Sequence, residues 1–180
     1  SFKTLNAEGA VGGKLDDHVA IRISALWQHR DDWVNNLGPT GPNKLEGYDD
    51  RAIRGQIEFT PNEALTLRVT GQARALTGDA RVFRANIIEP GSNEFVDDFD
   101  IEEISIDGTN FQELDSWGAS ARLGWNLGRT TLFSVTGYET VDTLSRGDID
   151  GGFGASFAPP FGPGFIPFPA ESADGLPDHK

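Results

Sequence analysis

The feature that most constrains this chain is a two-residue alternation of apolar and polar side chains, arranged in three consecutive pairs of segments. In the first pair Leu5, Ala7, Gly9 and Val11 alternate with Thr4, Asn6, Glu8 and Ala10. After the turn Gly13-Lys14-Leu15-Asp16-Asp17, Val19, Ile21, Ile23, Ala25 and Trp27 alternate with Ala20, Arg22, Ser24, Leu26 and Gln28. A period of two lines each face of a strand with every second residue, and a helix does not produce it. The second pair sets Ile53, Gly55, Ile57 and Phe59 against Arg54, Gln56, Glu58 and Thr60, and Leu65, Leu67, Val69 and Gly71 against Thr66, Arg68, Thr70 and Gln72. Between them Thr60-Pro61-Asn62-Glu63 reads as a turn with proline at its second position. In the third pair Trp117, Ala119, Ala121, Leu123 and Trp125 alternate with Gly118, Ser120, Arg122, Gly124 and Asn126. A tight Gly128-Arg129 turn follows, and then Phe133, Val135 and Gly137 alternate with Ser134, Thr136 and Tyr138.

The connections are of two kinds. Within each pair they are short; between pairs and after the last they are long, at about 31–48, 75–113 and 145–180. Long loops are uncommon in compact domains and carry function or disorder where they occur. Short and long connections in strict alternation are the layout of an up-and-down barrel in an outer membrane, with tight turns on the periplasmic side and long loops outside. The expected fold is therefore all-β: an antiparallel up-and-down meander of about six strands of a larger transmembrane β-barrel, occupying 1–180 as one partial barrel domain. Several strands have room for the roughly 9–11 residues that a tilted membrane-spanning strand needs. Arg22, Arg54, Arg68 and Arg122 fall on one face, toward a polar lumen, and the Val, Ile, Leu, Phe and Trp face would meet lipid. Trp27, Trp33, Trp125 and Tyr138 sit near predicted strand ends, where an interfacial girdle places amphipathic rings. The alternative is a soluble extracellular β-sandwich that binds carbohydrate through its loops.

Charge agrees with this division into strands and loops. The net charge is -13. Windows 31–50, 75–114 and 145–180 hold 20 of the 28 acidic residues but only 5 of the 15 basic ones. The acidity thus belongs to the long connections, as solvated loop tips or as a negative vestibule that favours cationic or neutral ligands. Neutralising Asp97, Asp98 and Asp100 is expected to alter ligand association in a salt-dependent way. No basic patch exists to neutralise phosphates, so nucleic acid is not an expected partner. Cysteine is absent, which rules out disulfides and thiolate metal sites. No run of eighteen apolar residues provides a transmembrane helix. The chain starts at Ser1, contains no methionine and shows no charged-then-apolar leader, and so reads as an internal piece of a longer protein.

Catalytic and metal signatures are weak. His18, His29 and His179 lie far apart without ligand spacing. Asp148-Ile149-Asp150-Gly151 resembles part of a calcium loop but lacks the remaining oxygens and the closing glutamate. Gly9, Gly12 and Gly13 do not open a helix, and Gly151-Gly152-Phe153-Gly154 lies in a loop, so neither cradles phosphate. No serine elbow is present. No catalytic, cofactor-binding or metal residue is selected, the ligand-contacting residues are unknown from sequence, and the chain is not expected to be an enzyme. Phe153, Phe157, Phe161, Phe165 and Phe168, spaced among Pro159, Pro160, Pro163, Pro167 and Pro169, form an extended aromatic segment suited to ligand contact or to packing between loops.

Several segments resemble TonB-dependent receptors. Ala7-Glu8-Gly9-Ala10-Val11-Gly12-Gly13-Lys14-Leu15, Val19-Ala20-Ile21-Arg22 and Arg30-Asp31-Asp32-Trp33-Val34-Asn35-Asn36 look like the early barrel of that family, with Asp32 where glycine is usual. Gly47-Tyr48-Asp49-Asp50-Arg51 leads into a strand ending Phe59-Thr60-Pro61-Asn62, and Val135-Thr136-Gly137-Tyr138-Glu139 is similar to a later strand. Arg84-Ala85-Asn86-Ile87-Ile88-Glu89-Pro90-Gly91 and Arg146-Gly147-Asp148-Ile149-Asp150-Gly151-Gly152-Phe153 look like loops of one subgroup. The resemblance implies uptake of a scarce ligand, such as a ferric siderophore or another small nutrient, across the outer membrane of a Gram-negative type cell. The implied partners are outer-membrane lipid and lipopolysaccharide, the small-molecule ligand, and a TonB energising complex that acts through a plug domain. It also implies that the chain ends inside an external loop, and no cofactor.

Overall fold

A computed structural model describes residues 3–38, 41–84 and 87–148, together with the backbone of three short strands farther on. The elements are β1 (Leu5–Lys14), β2 (Val19–Arg30), β3 (Val34–Asn36), β4 (Lys44–Leu45), β5 (Tyr48–Asn62), β6 (Leu65–Gly78), β7 (Glu103–Ile104), β8 (Phe111–Asn126), β9 (Thr131–Asp148), β10 (Ser156–Phe157), β11 (Gly164–Phe165) and β12 (Glu171–Gly175). Among the described residues there is no helix. The main sheet runs β1-β2-β5-β6-β8-β9-β12. Every pairing in it is antiparallel. It is thus a meander, and among the described residues no pairing closes it. A seventh strand, Glu171–Gly175, pairs with Leu144–Asp148.

The three tight turns are closed by short polar side chains. Asp16 accepts the Val19 N–H at 2.8 Å and the His18 N–H at 2.7 Å. Asn126 accepts the Gly128 N–H at 2.9 Å, and Gly128 has φ of 88°, which favours glycine. The middle turn departs from expectation. Strand β5 continues through Pro61 to Asn62, with a register shift after Phe59, and Asn62 accepts the Ala64 N–H at 2.9 Å. Proline has no N–H to give the ladder, so it occupies the irregularity rather than the turn itself.

The strands are also longer than their alternation suggests: β5, β6, β8 and β9 contain 15, 14, 16 and 18 residues. Beyond the apolar stretch the two-residue pattern lapses, because charged side chains occupy both faces. The ladder continues there on paired charges, as where Arg74 donates to both Asp50 oxygens at 2.8 and 3.0 Å. Arg30 lies over the Tyr48 ring, 4.9 Å from its centroid.

Register assigns the faces. Arg22, Arg54, Arg68 and Arg122 share one face, since Arg22 opposes Gln56, Arg54 opposes Gln72 and Arg68 opposes Arg122. Strand β9 breaks the simple apolar rule. Leu132 is opposite Trp125, so Ser134, Thr136 and Tyr138 lie on the apolar face, while Phe133 and Val135 share the polar face with Gly124 and Arg122. Parity is set by the hairpin, not by the polarity of individual residues.

The hydrophobic core is not in the sheet. Val34, Leu45, Ile104 and Ile106 are buried together, with Trp33 and Val82 packed against them. Val34, Leu45 and Ile104 belong to a small sheet, β4-β3-β7, built from the two long connections, and Ile106 follows β7. Val34 opposes Leu45, and Asn35 pairs in parallel with Glu103. Asn36 binds this layer together: its Oδ1 accepts the Gly38 and Ile106 N–H groups, and its Nδ2 donates to the carbonyls of Pro42 and Ile106. Segments of the two connections thus pack on each other around Val34, Leu45, Ile104 and Ile106, while the acidic side chains from Glu89 to Glu103 remain exposed. Trp33 belongs to that core and not to a girdle.

Candidate functional site

Two sheet faces and the loop layer are the surfaces with functional character. On the apolar face, register arranges side chains in rows across the strands. Ala25, Ile53, Ala73, Trp117 and Thr140 form one row; the next, toward the long connections, is Trp27, Arg51, Ala75, Asp115 and Asp142. The face changes from apolar to charged between these two rows on several strands at once. Toward the tight turns it ends on Leu65, Trp125 and Leu132. From Trp117 to Trp125 the band is nine residues deep on β8. Its side chains are open: Val11 is 74 % exposed, Ile53 55 %, Trp117 55 % and Trp125 44 %. Trp117, which sequence alternation treated as an ordinary apolar position, meets Tyr138 with ring centroids 5.4 Å apart. Trp27, one row beyond, donates its indole N–H to Asp49 at 3.0 Å. Aromatic side chains with one wet end thus mark the loop-side edge, and Trp125 marks the turn side.

The other face is polar and more crowded. A Cβ added at Gly12 or Gly118 would press on the cross-strand neighbour, whereas at Gly9, Gly13, Gly55 or Gly71 on the apolar face it would meet nothing within 4 Å. Side chains that converge on one face and splay on the other belong to a sheet bent toward its polar side. An open hollow of about 680 Å³ on that side is lined by Glu8, Arg22, Ser24, Arg54, Gln72 and Glu139, among others. Arg54 donates to Gln72 at 3.0 Å and Arg68 to Glu58 at 2.9 Å.

The loop layer is fastened to the strand ends by a charged cluster. The Gly47 N–H is shared by Asp32 Oδ1 at 2.9 Å and Asp79 Oδ2 at 3.1 Å. A Cβ at Gly47 would stand 2.2 Å from Asp32 Oδ1, so only glycine lets the two carboxylates converge there. Burial, together with the facing Asp32 carboxylate, pushes the Asp79 carboxyl up to about 6, against the pull of the Gly47 N–H. Beside it Arg30 donates to the Glu46 carbonyl at 2.7 Å and to its carboxylate at 3.2 Å, and Arg81 lies 3.6 Å from the same carboxylate. The Asp31 carboxyl is held below its ordinary value by hydrogen bonds from His29 and Lys3.

The structure does not bring the histidines together. His18 sits at a tight turn with Nδ1 2.9 Å from the Thr60 carbonyl oxygen, and His29 is at the opposite end of β2 beside Asp31 and Asp49. His179 lies outside the described residues, as do Ala85, Asn86, Ile149, Asp150, the Gly151–Gly154 run, Phe153, Phe161, Phe168 and the five prolines among them. Phe157 and Phe165 lie in β10 and β11, which pair with each other. Asp148 is buried at the end of β9 and accepts the Asp107 and Gly108 N–H groups, a structural use of the carboxylate once grouped with a calcium-loop pattern. Gly9, Gly12 and Gly13 are strand residues of β1. Among the described residues no group of three or more His, Asp or Glu side chains is placed to hold a metal. The shared Gly47 N–H, the Asn36 staple and the loop core had no signal in the sequence, because each joins residues from separate connections. Comparison with protein-family models, with curated proteins and with solved structures found no match to this chain.

Proposed function

We propose that this chain is part of a TonB-dependent outer-membrane receptor that takes up a scarce ligand, a ferric siderophore or another small nutrient, and that it is not an enzyme. The observation that carries the reading is the band on the apolar face. Its nine-residue depth on β8 matches the roughly 9–11 residues of a tilted membrane strand. Tryptophan stands at both ends of it, and none of the described residues covers it. Large contiguous apolar surface on a soluble protein marks an interaction site, and here lipid is the natural cover. In this arrangement the polar face lines the lumen, the tight turns are periplasmic, and the loop layer is outside, in contact with lipopolysaccharide. The energising complex acts through a plug domain in the lumen.

The test is the behaviour of the full-length parent in outer-membrane fractions, with spin labels at Ile21 and Arg22. The expected outcome is detergent-dependent extraction, lipid contact at 21 and water contact at 22. A parent that stays soluble and monomeric without detergent, or labels with equal water access, sinks the reading and favours the carbohydrate-binding sandwich, whose second sheet would have to cover the same band.

A further inference from the structure

The long connection between β6 and β8 holds a surface that neither the sheet nor the loop core uses. Ile88 and Phe95 are directly opposed in an isolated antiparallel bridge, so both side chains lie on one face of a small hairpin. Its tip is closed by the Ser92 N–H donating to the Glu89 carbonyl at 3.0 Å, with Gly91 at φ of 82°. The Phe99 ring stacks on Phe95 at 4.5 Å and 11°, close to parallel. Phe95 is 57 % exposed and Ile88 43 %. Phe99 is half-buried beneath Phe95, so Phe95 and Ile88 are the exposed apolar side chains of the hairpin, and neither belongs to the buried core a few residues away.

Its electrostatic setting is one-sided. From Ile87 to Ile104 there are seven carboxylates, at Glu89, Glu94, Asp97, Asp98, Asp100, Glu102 and Glu103, and no Lys, Arg or His. None of them forms an ion pair among the described residues. The nearest flanking cation in sequence, Arg84, donates to the Ile101 carbonyl at 2.9 Å and forms no ion pair with these carboxylates. Exposed apolar side chains in a segment rich in carboxylates that form no ion pair are complementary to a ligand that joins apolar, ring-bearing surface to positive charge. Such a ligand gains burial and ring contact from Phe95 and Phe99 and attraction from the carboxylates.

We infer that the Ile88–Phe95–Phe99 face of this hairpin is a binding surface for an apolar organic cation. The inference rests on the receptor reading only in placing this hairpin outside the cell, and it narrows the class of ligand met there. The probe is tetraphenylphosphonium, four phenyl rings around one positive charge, compared with tetraphenylborate, which has nearly the same shape and a negative charge. Both are titrated against the full chain in one neutral detergent. The expected result is saturable binding of the phosphonium that weakens as salt is raised, and no saturable binding of the borate. Phe95→Ala should weaken phosphonium binding about tenfold, the scale of a lost aromatic contact at a partly desolvated site. The triple variant Asp97→Asn, Asp98→Asn and Asp100→Asn, which leaves the aromatic stack in place, should weaken it and flatten the salt dependence. Absence of phosphonium binding, equal affinity for both ions, or affinity unchanged in both variants overturns the inference. Whether the chain needs detergent at all is read separately and tests only the barrel.

Discussion

Asp79 illustrates how much a single side chain here depends on its surroundings. Its carboxyl is half-buried, faces Asp32 across a shared Gly47 N–H, and has its pKa raised from the ordinary carboxylate range to about 6. A folded-state pKa above the unfolded value means that the folded state binds the proton more tightly. The stabilisation from Asp79 is therefore fully present below the unfolded value and is lost as pH rises through about 6. The amides of Asn35 and Leu37, which donate across the loop layer at 2.7 Å each, report on it. Their protection from exchange, corrected for intrinsic rate, should fall as pH is raised from 5 to 7, a window chosen to bracket about 6. Asp79→Asn should remove that dependence, and an equally steep fall in the variant would assign the effect to another group.

At the scale of elements, the loop layer and the main sheet follow different rules. The loop layer holds together as a soluble domain does, by burying Val34, Leu45, Ile104 and Ile106. Leu45→Ala should cost about 2–5 kcal/mol of local stability by leaving a cavity that its neighbours cannot fill. Hydrogen exchange is expected to show loss of protection in β3 and β7 with β5 and β6 unchanged; a loss spread evenly over the sheet would contradict a separate layer. The main sheet is held by its ladders and by charge pairs at the loop-side ends, with an apolar face open to the surroundings. Ile57→Arg, in the middle of the band, distinguishes lipid from water as that surrounding. In a bilayer it should destabilise folding by roughly 2–4 kcal/mol, measured by denaturant titration in vesicles. On a sheet face in contact with water the same change would be near neutral. Most of these elements were legible in the sequence. The pairs of segments from Leu5 to Tyr138 were placed by period-two alternation, while β3, β4 and β7 were not, because two- and three-residue strands have no periodicity to read.

Taken whole, the chain is an open sheet with edges. Six long strands fall short of the eight in the smallest barrels, and open edges are not tolerated in lipid. Strand β1 lies at one edge, and among the described residues no strand pairs with its outer side. The isolated 180 residues should therefore aggregate or need detergent; a stable, detergent-free monomer that melts cooperatively would argue against the barrel. Alternation, turn residues and the segregation of acidic residues were enough, by themselves, to determine an antiparallel meander with tight turns at one end and long connections at the other. Those are local properties, carried by neighbours within a few positions. What the tertiary structure decided was register and long-range contact. Phe133 and Val135 share a face with Arg122 because the hairpin sets their parity. The long connections form a core because Val34 and Ile104, 70 positions apart, lie in adjoining strands of one small sheet. No local pattern encodes either result, since both arise from closure of the chain on itself.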